Sequence, residues 1–443
     1  MRILLLILKL VLAIGCLVAA GTVRMPSLLP LRGWLLFAVL GAALVLVAAS
    51  LRWRNWSAGR WIDRGDIAPF TVALGALCLA LTLEGRFQLA RWTVRHAEPA
   101  ALNELGRHLI VGYADPDFVR DLVKRQAIAG IFVTQRNVAN RDVSAVAGEI
   151  AELQAIRASQ GLPPLFVATD QEGGGVSRLS PPLPPQPTLA SIIAHAETRD
   201  ARRAAVLAHA DRQGRELASL GINLNFAPVV DLNFGIRNPK DAYTRIADRA
   251  IAADPDMVSE VAGWYCDGLA AQHVLCTAKH FPGLGRVFDD THLSEGQLNA
   301  SADGLNHTDW LPFRTLLGHS SQAVMIGHVR LRALDAVHPA STSKPIVNGL
   351  LRHQWGYDGI VVTDDMSMGP IYFGDGGMEG ASLRALNAGV DLLLLSWDGE
   401  LVYPVLAALL KDRDALDAAM LQRSDVRLRA LQERLPAAQR SRP

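Results

Sequence analysis

The chain has 443 residues, half of them hydrophobic, and its formal net charge is +1 at pH 7. A charge so close to zero does not favour nucleic acid as a partner, because nucleic-acid-binding proteins usually carry an excess of Lys and Arg. The length exceeds that of one ordinary domain, and the apolar excess is concentrated in the first hundred residues.

Three apolar segments open the chain, at residues 3–21, 34–50 and 68–84. Each approaches the roughly 20 residues that a helix needs to cross the hydrocarbon core of a bilayer. We predict a membrane region over residues 1–85, with the lipid bilayer as a partner. A cleaved signal peptide is an alternative for the first segment, but the two later segments would still anchor the chain.

The charges that flank these segments leave the membrane orientation open. The loop between the second and third segments contains Arg52, Arg54, Arg60 and Arg64. These charges favour a cytoplasmic position for this loop, which would place the C-terminal domain on the outer side of the membrane. The stretch after the third segment favours the opposite orientation, since it contains Arg86, Arg91 and Arg95. Trp53, Trp56 and Trp61 are typical of an interfacial aromatic belt. Residues 86–102 are interpreted as an amphipathic connector.

From residue 103, short apolar runs alternate with segments of helical period. The eight runs are His108–Tyr113, Gly130–Thr134, Leu165–Thr169, Leu224–Val230, Val274–Ala278, Ala323–Ile326, Gly359–Thr363 and Val390–Leu395. This alternation predicts an α/β fold, a single (β/α)8 TIM-type barrel over residues 103–435 with a tail at 436–443. An open doubly wound sheet is the alternative, although no Gly-rich dinucleotide fingerprint follows the first run.

Ionisable residues follow five consecutive predicted strands. They are Asp170 and Glu172, Asp231, Lys279 and His280, His328, and Asp364 and Asp365. The C-terminal ends of parallel barrel strands meet at one face, where barrel enzymes carry their chemistry. The sequence therefore predicts a functional pocket there.

Several carboxylates with lysine and histidine suit a polyol ligand, and no metal-ligand or phosphate-loop spacing is present. Asp364 ends a rigid strand and is the candidate nucleophile, whereas strand alternation should turn Asp365 away from the pocket. His292 is the candidate proton donor. Asp290, two residues earlier, can accept a hydrogen bond from its ring and favour the protonated form. No metal or cofactor is expected.

Four cysteines occur in the chain: Cys16, Cys78, Cys266 and Cys276. No CxxC or Cys/His spacing is present, so the sequence favours small buried thiols over a disulfide or a metal site.

Seven motifs together resemble those of glycoside hydrolase family 3, in particular the bacterial β-N-acetylglucosaminidases of peptidoglycan recycling. They are Gly130-Ile131-Phe132-Val133 with Arg136-Asn137, Asp170-Gln171-Glu172-Gly173-Gly174 with Arg178, Leu224 to Asp231, Ala247-Asp248-Arg249, Lys279-His280-Phe281-Pro282-Gly283, Asp290-Thr291-His292, and Thr363-Asp364-Asp365-Met366-Ser367-Met368. The resemblance covers about residues 103–430. The usual soluble members lack a membrane region like the one at the N-terminus here.

The resemblance implies a retaining hydrolase for terminal, non-reducing β-linked N-acetylglucosamine that works without a cofactor. Asp364 would be the nucleophile and His292 the acid/base, assisted by Asp290. The sugar-binding residues would be Asp170, Arg178, Arg249, Lys279 and His280. Separately from this resemblance, we predict that the N-terminal segments place the chain in the bacterial inner (cytoplasmic) membrane, which they cross several times. The carbohydrate partner would be an N-acetylglucosamine-containing glycan or muropeptide.

Three positions depart from the family pattern: Gly175 where Arg is usual, Ala247 where Gly is usual, and Leu284 where His is usual. Two alternative functions stay open, and the departures at Gly175 and Leu284 motivate the second of them. One is a glycoside phosphorylase of the same fold, since a histidine acid/base repels phosphate less than a carboxylate does. The other is a non-catalytic, muropeptide-binding barrel.

Overall fold

The computed structural model describes residues 2–51, 62, 64–318 and 322–435. They divide into two compact units, Met1–His96 and Ala97–Pro443. The predicted tail at 436–443 lies outside the described residues. So do the three tryptophans and Arg52, Arg54 and Arg60 of the loop between the second and third apolar segments.

The first unit consists of three packed helices, α1 (Arg2–Thr22), α2 (Arg32–Ser50) and α3 (Ile67–His96). Three segments, Ile3–Thr22, Pro26–Ser50 and Ile67–His96, are long and apolar enough to cross a membrane. Alanines pack at the contacts between the helices, as is common where helices meet in a bilayer: Ala13, Ala20, Ala43, Ala73 and Ala76. The predicted connector, residues 86–102, contains the end of α3 and the first residues of a second helix that begins at Pro99.

The second unit contains a closed barrel of eight parallel strands, each paired with its neighbours in chain order. The strands are β1 (Leu109–Gly112), β2 (Gly130–Phe132), β3 (Phe166–Thr169), β4 (Leu224–Asn225), β5 (Leu275–Phe281), β6 (Ala323–Ile326), β7 (Val361–Asp365) and β8 (Leu392–Leu395). Each of the eight predicted runs overlaps one strand, and the prediction of a (β/α)8 barrel is confirmed.

Helices surround the barrel. They are α4 (Pro99–Gly106), α5 (Pro116–Lys124), α6 (Gln135–Val138), α7 (Val143–Ser159), α8 (Leu189–Ala194), α9 (Arg199–Ser219), α10 (Ile246–Arg249), α11 (Pro255–Ala270), α12 (Ala302–Asn306), α13 (Trp310–Leu317), α14 (Gly369–Tyr372), α15 (Gly377–Ala388), α16 (Val402–Lys411) and α17 (Ala418–Gln432). The segment Pro345–Gln354, between β6 and β7, is a π-helix. Short apolar strands such as Leu392–Leu395 are buried along their whole length, as expected of a sheet covered by helices.

The C-terminal ends of β4 and β5 differ from those of their predicted runs. Regular pairing in β4 ends at Asn225, although Val229 still bridges to Lys279 on β5. Strand β5 extends to Phe281, and its register against β6 shifts between Ala278 and Phe281. This irregular end of β5 carries Lys279 and His280.

The prediction of thiols rather than a disulfide is wrong for two of the four cysteines. Cys266 on α11 and Cys276 on β5 form a disulfide, with their Cα atoms 5.4 Å apart. Helix α11 leads directly into β5 and packs against it, so residues ten positions apart face each other across the helix–strand contact. Cys16 and Cys78 are free thiols, the first buried and the second exposed.

Candidate active site

Strands β3, β4, β5 and β7 bring the predicted polar residues together at the C-terminal end of the barrel. Lys279 is a fully buried cation in this cluster. Its Nζ donates to Asp170 Oδ1 at 2.7 Å and lies 2.6 Å from Glu172 Oε1. Its side chain is 2% exposed, and two carboxylates compensate its charge.

Arg249 reaches the same cluster from α10. Its Nε and Nη2 donate to the two carboxylate oxygens of Glu172, at 2.9 and 2.6 Å. This bidentate pair has the geometry that makes arginine–carboxylate contacts strong. Burial alone would raise the pKa of Glu172, but the charges of Arg249 and Lys279 outweigh that effect and lower it. Glu172 is therefore ionised, and it binds Arg249 and Lys279 although its position in the turn after β3 does not indicate such a role.

His280 is oriented by Asp231, the residue that follows the predicted run Leu224–Val230. Its Nδ1 lies 2.7 Å from Asp231 Oδ2, and its Nε2 lies 3.3 Å from Arg249 Nη2. The other oxygen, Asp231 Oδ1, accepts the backbone N–H of Leu284 at 2.7 Å. Any residue except proline can supply that N–H, so the departure at Leu284 leaves this contact unchanged.

Arg178 lies apart from this cluster. It is exposed, just beyond a small hairpin of Gln171–Gly173 and Val176–Ser177, and its backbone N–H donates to the Asp170 carbonyl at 3.2 Å. A side-chain Cβ at Gly175 would have no heavy atom within 4 Å. The hairpin tip is therefore open where the family pattern has a long side chain.

Asp364 is partly buried near the end of β7, and its Oδ1 accepts the backbone N–H of Asp365 at 2.8 Å. Burial would raise the pKa of Asp364, but the charges of His280, His328 and His292 lower it below its usual value. The carboxylate is thus held in the ionised form that a nucleophile needs.

Asp365 and His328 make structural contacts beside the pocket. Asp365 Oδ2 accepts from Ser396 Oγ at 2.6 Å and from the Trp397 N–H at 3.0 Å. Burial lowers the pKa of His328 below its usual value, although the nearby charges of Asp364 and Asp365 oppose this effect. Its Nε2 lies 3.0 Å from the Asp365 carbonyl and its Nδ1 lies 2.8 Å from Ser341 Oγ. These bonds hold the end of β7 in place.

Asp290 and His292 lie on the loop after β5. His292 Nδ1 is 3.4 Å from Asp290 Oδ1, and the His292 side chain is 37% exposed. Asp290 is buried and accepts the backbone N–H groups of Ala242, Tyr243 and His292 at 3.0 to 3.1 Å. Burial would raise the pKa of Asp290, but the hydrogen bonds from His292 and the backbone lower it.

The loop that carries His292 contacts the turn that follows Asp364. The Gly369 N–H donates to the His292 carbonyl at 2.8 Å. This bond connects the loop after β5 with the turn after β7, two strands further along the barrel. It brings the loop of the candidate proton donor, His292, and the strand end of the candidate nucleophile, Asp364, together at the C-terminal mouth of the barrel.

Exposed apolar side chains surround this mouth. They lie in the loops after β4, β5, β7 and β8 and are Phe234, Ile236, Tyr243, Phe288, Leu293, Phe373 and Trp397. The Tyr243 ring lies 5.5 Å from the His292 ring, centroid to centroid. Within the described residues, no group of His, Cys, Asp and Glu is arranged to hold a metal ion.

Comparison with known proteins agrees with this geometry. The family profile described as the glycosyl hydrolase family 3 N terminal domain matches residues 101–431. The beta-hexosaminidase LpqI of Mycobacterium tuberculosis is 37% identical over 310 residues, which cover 67% of this chain and 75% of that protein. A beta-hexosaminidase of Xanthomonas oryzae pv. oryzae is 33% identical over 291 residues, which cover 65% of this chain and 83% of that protein.

Two solved structures also resemble the chain. The structure of M. tuberculosis LpqI has a TM-score of 0.65 at 34% identity and covers 76% of this chain and 96% of that protein. A family 3 β-N-acetylglucosaminidase from Paenibacillus has a TM-score of 0.68 at 31% identity and covers 75% of this chain. The match spans 62% of the Paenibacillus protein. The family profile, the curated relatives and the barrel geometry agree, and the chain belongs to glycosyl hydrolase family 3.

Proposed function

We propose that this chain is a retaining β-N-acetylhexosaminidase that removes terminal, non-reducing β-linked N-acetylglucosamine. Family membership supports glycoside hydrolysis, and the relatives named beta-hexosaminidase support the class of sugar. The observation that carries the proposal is the 2.8 Å bond from Gly369 to the His292 carbonyl, which brings the His292 loop to the strand end that carries Asp364.

In the first step, Asp364 attacks the anomeric carbon and forms a covalent glycosyl-enzyme. His292 gives a proton to the departing glycosidic oxygen, so the leaving group departs as an alcohol. In the second step, His292 takes a proton from water, and the resulting hydroxyl displaces Asp364 with overall retention. Asp290 stabilises the protonated ring before the first step and after the second.

Five side chains would bind the terminal sugar: Asp170, Arg178, Arg249, Lys279 and His280. Asp170 accepts from sugar hydroxyl groups, and Lys279 donates to sugar oxygens. Arg249 and His280 are fixed by Glu172 and Asp231, so they meet the sugar with little loss of conformational freedom. Arg178 is exposed beside the hairpin and would bind the sugar from that side of the pocket.

The substrates that we propose are peptidoglycan-derived glycans or related N-acetylglucosamine-containing glycans. The aromatic and apolar side chains around the mouth offer ring faces on which the sugar beyond the cleaved bond can pack. We expect a muropeptide to be hydrolysed more efficiently than a nitrophenyl glycoside for this reason.

The function is tested with the full-length protein in detergent and nitrophenyl β-N-acetylglucosaminide. Hydrolysis should release nitrophenol, and proton NMR should show β-N-acetylglucosamine as the anomer formed first. Addition of phosphate should leave the product unchanged. Formation of the sugar 1-phosphate would instead show a phosphorylase, and sugar binding without turnover would show a non-catalytic barrel.

Substitution of Gly369 by Ala should impair catalysis. A Cβ there would lie 2.5 Å from the Leu293 carbonyl oxygen and 3.2 Å from the His292 oxygen, so the loop must move outward. A displacement of about 1 Å costs up to ~100-fold in rate, and we expect kcat to fall by roughly that factor. Gly148→Ala on α7 is the control, because no atom lies within 4 Å of its Cβ. Equal activity of the two variants would contradict the proposal that the contact between Gly369 and the His292 loop positions His292 for catalysis.

We further propose that the protein is a multi-pass protein of the bacterial inner membrane with its barrel on the oxidising, outer side. Three helices could span a membrane, and the barrel contains a disulfide, a bond that persists mainly in oxidising compartments. Alkylation in intact cells before reduction should leave Cys266 and Cys276 unmodified, and reduction should make both reactive by mass spectrometry. Alkylation of both residues without reduction would place the barrel in the cytoplasm.

A further inference from the structure

Thr244 lies between β4 and α10 and is 3% exposed. Its hydroxyl contacts all three residues of the Asp290-Thr291-His292 motif. Thr244 Oγ1 is 2.9 Å from the Thr291 backbone nitrogen, 3.1 Å from Asp290 Oδ1 and 3.3 Å from His292 Nδ1. It is also 3.1 Å from Thr291 Oγ1. Thr244 therefore sits where Asp290 and His292 meet.

The chemistry of a hydroxyl assigns the direction of these bonds. A hydroxyl has one proton to donate and two lone pairs to accept. The Thr291 backbone N–H uses one lone pair, and the Asp290 carboxylate, which only accepts, takes the proton. The second lone pair faces His292 Nδ1, which must then carry a hydrogen. The Thr291 hydroxyl can rotate its own proton to another partner.

A hydrogen on His292 Nδ1 determines which nitrogen exchanges protons with the substrate. In the neutral ring the lone pair then lies on Nε2, and this atom takes and returns the proton. Asp290 cannot set this tautomer alone, since its oxygen is 3.4 Å from Nδ1. Two backbone N–H groups, of Ala242 and Tyr243, already bind its other oxygen.

The backbone of Thr244 also contacts the sugar-binding cluster. Its carbonyl accepts from Arg249 Nη1 at 2.8 Å. The same guanidinium pairs with Glu172 through its other two nitrogens. One residue therefore contacts the proton-transfer pair through its side chain and the sugar-binding cluster through its backbone.

We propose that Thr244 is a positioning residue for the acid/base. It bridges His292 to Asp290, fixes the hydrogen on His292 Nδ1, and aligns the loop with the cluster around Arg249. This inference rests on the proposed function, in which His292 is the acid/base.

The first test compares substitutions at Thr244 in the full-length protein. Thr244→Val keeps the shape but removes the hydroxyl, and we expect kcat to fall about 10- to 100-fold with little change in KM. Thr244→Ser restores the hydroxyl and should recover activity to within a few-fold. Thr342→Val, at another buried threonine, is the control and should leave kcat unchanged. A Ser variant as slow as the Val variant would overturn the proposal.

A double-mutant cycle separates positioning from a general structural effect. If Thr244 acts through His292, adding Thr244→Val to His292→Ala should lower kcat no further. The basic limb of the pH profile, which reports the acid/base, should shift in Thr244→Val and return in Thr244→Ser. A further full loss of rate in the double variant would overturn the proposal.

Nitrogen NMR of histidine-labelled protein tests the tautomer without turnover. The His292 signals, assigned with His292→Ala, should show a protonated Nδ1 in the wild type and a tautomer mixture in Thr244→Val. Identical His292 spectra in the two proteins would overturn the role of Thr244. Absence of any hydrolysis by the wild type would overturn the proposed function instead, so the two failures are distinguishable.

Discussion

Asp364→Asn should abolish hydrolysis, with kcat reduced by about 10⁴-fold or more, as expected when a nucleophile that acts with other groups is removed. The amide cannot form the ester intermediate, and the ionised carboxylate that His280, His328 and His292 stabilise is lost. The measurement is nitrophenol release by the full-length variant. A ring-fluorinated glycosyl fluoride, whose covalent intermediate forms quickly and hydrolyses slowly, should leave a glycosyl group on Asp364 in the wild type and none in the variant.

Asp365→Asn is the matched control one residue later. Its Oδ2 accepts from Ser396 Oγ and from the Trp397 N–H, and an amide oxygen in the same place keeps both contacts. Only the contact of Oδ1 with the Ser367 N–H is lost. We expect a loss of about tenfold or less, equivalent to a hydrogen bond of ~1 kcal/mol. Undiminished activity in Asp364→Asn, or an equal loss in both variants, would contradict the assignment of Asp364.

Glu172→Gln should be the most destabilising substitution in the site. It leaves the buried cations of Arg249 and Lys279 facing a neutral amide, with Asp170 as the remaining carboxylate. Loss of one partner of a buried ion pair costs about 3–5 kcal/mol of unfolding free energy. Pulse proteolysis in urea measures this change, and KM for the glycoside should rise because Lys279 and Arg249 lose their fixed positions.

Glu152→Gln is the control for this prediction. Glu152 forms a similar two-oxygen contact with Arg120, but its side chain is 52% exposed. An exposed pair contributes ~0–1 kcal/mol, so the free energy of unfolding should hardly change. Equal effects of the two substitutions would show that burial of the Glu172 pair does not stabilise the fold.

The pH dependence of stability gives a second measurement on Glu172. Its pKa is lowered in the folded protein, so its contribution is present above the unfolded pKa of about 4.3. The contribution is lost as the pH falls below that value. The difference in stability between wild type and Glu172→Gln should therefore be largest near neutral pH and shrink in acid. A difference that grows in acid would contradict a lowered pKa.

The sequence predicted the barrel because strand and helix signals are local. Short runs of branched and apolar residues alternate with segments of helical period, and eight such units close a barrel. The polar ends of these runs also predicted Asp170, Lys279, His280 and Asp364 at one face, because parallel strands end on the same side. The Asp-x-His spacing predicted the Asp290–His292 pair, and the family motifs added Arg178 and Arg249.

Other features could be found only in the tertiary structure. Some of them connect residues that are far apart in the chain, and others depend on how a helix packs against a strand, which leaves no local sequence pattern. The bonds of Glu172 to Arg249 and Lys279 cross the barrel mouth, so no spacing in the turn after β3 predicts them. The Cys266–Cys276 disulfide depends on how α11 packs on β5, and the preference for thiols was wrong there. Thr244 appears as an ordinary loop threonine until folding brings it to Asp290 and His292. Local propensity and strand-end chemistry were thus determined by the sequence itself, whereas long-range contacts between loops decided which side chains work together.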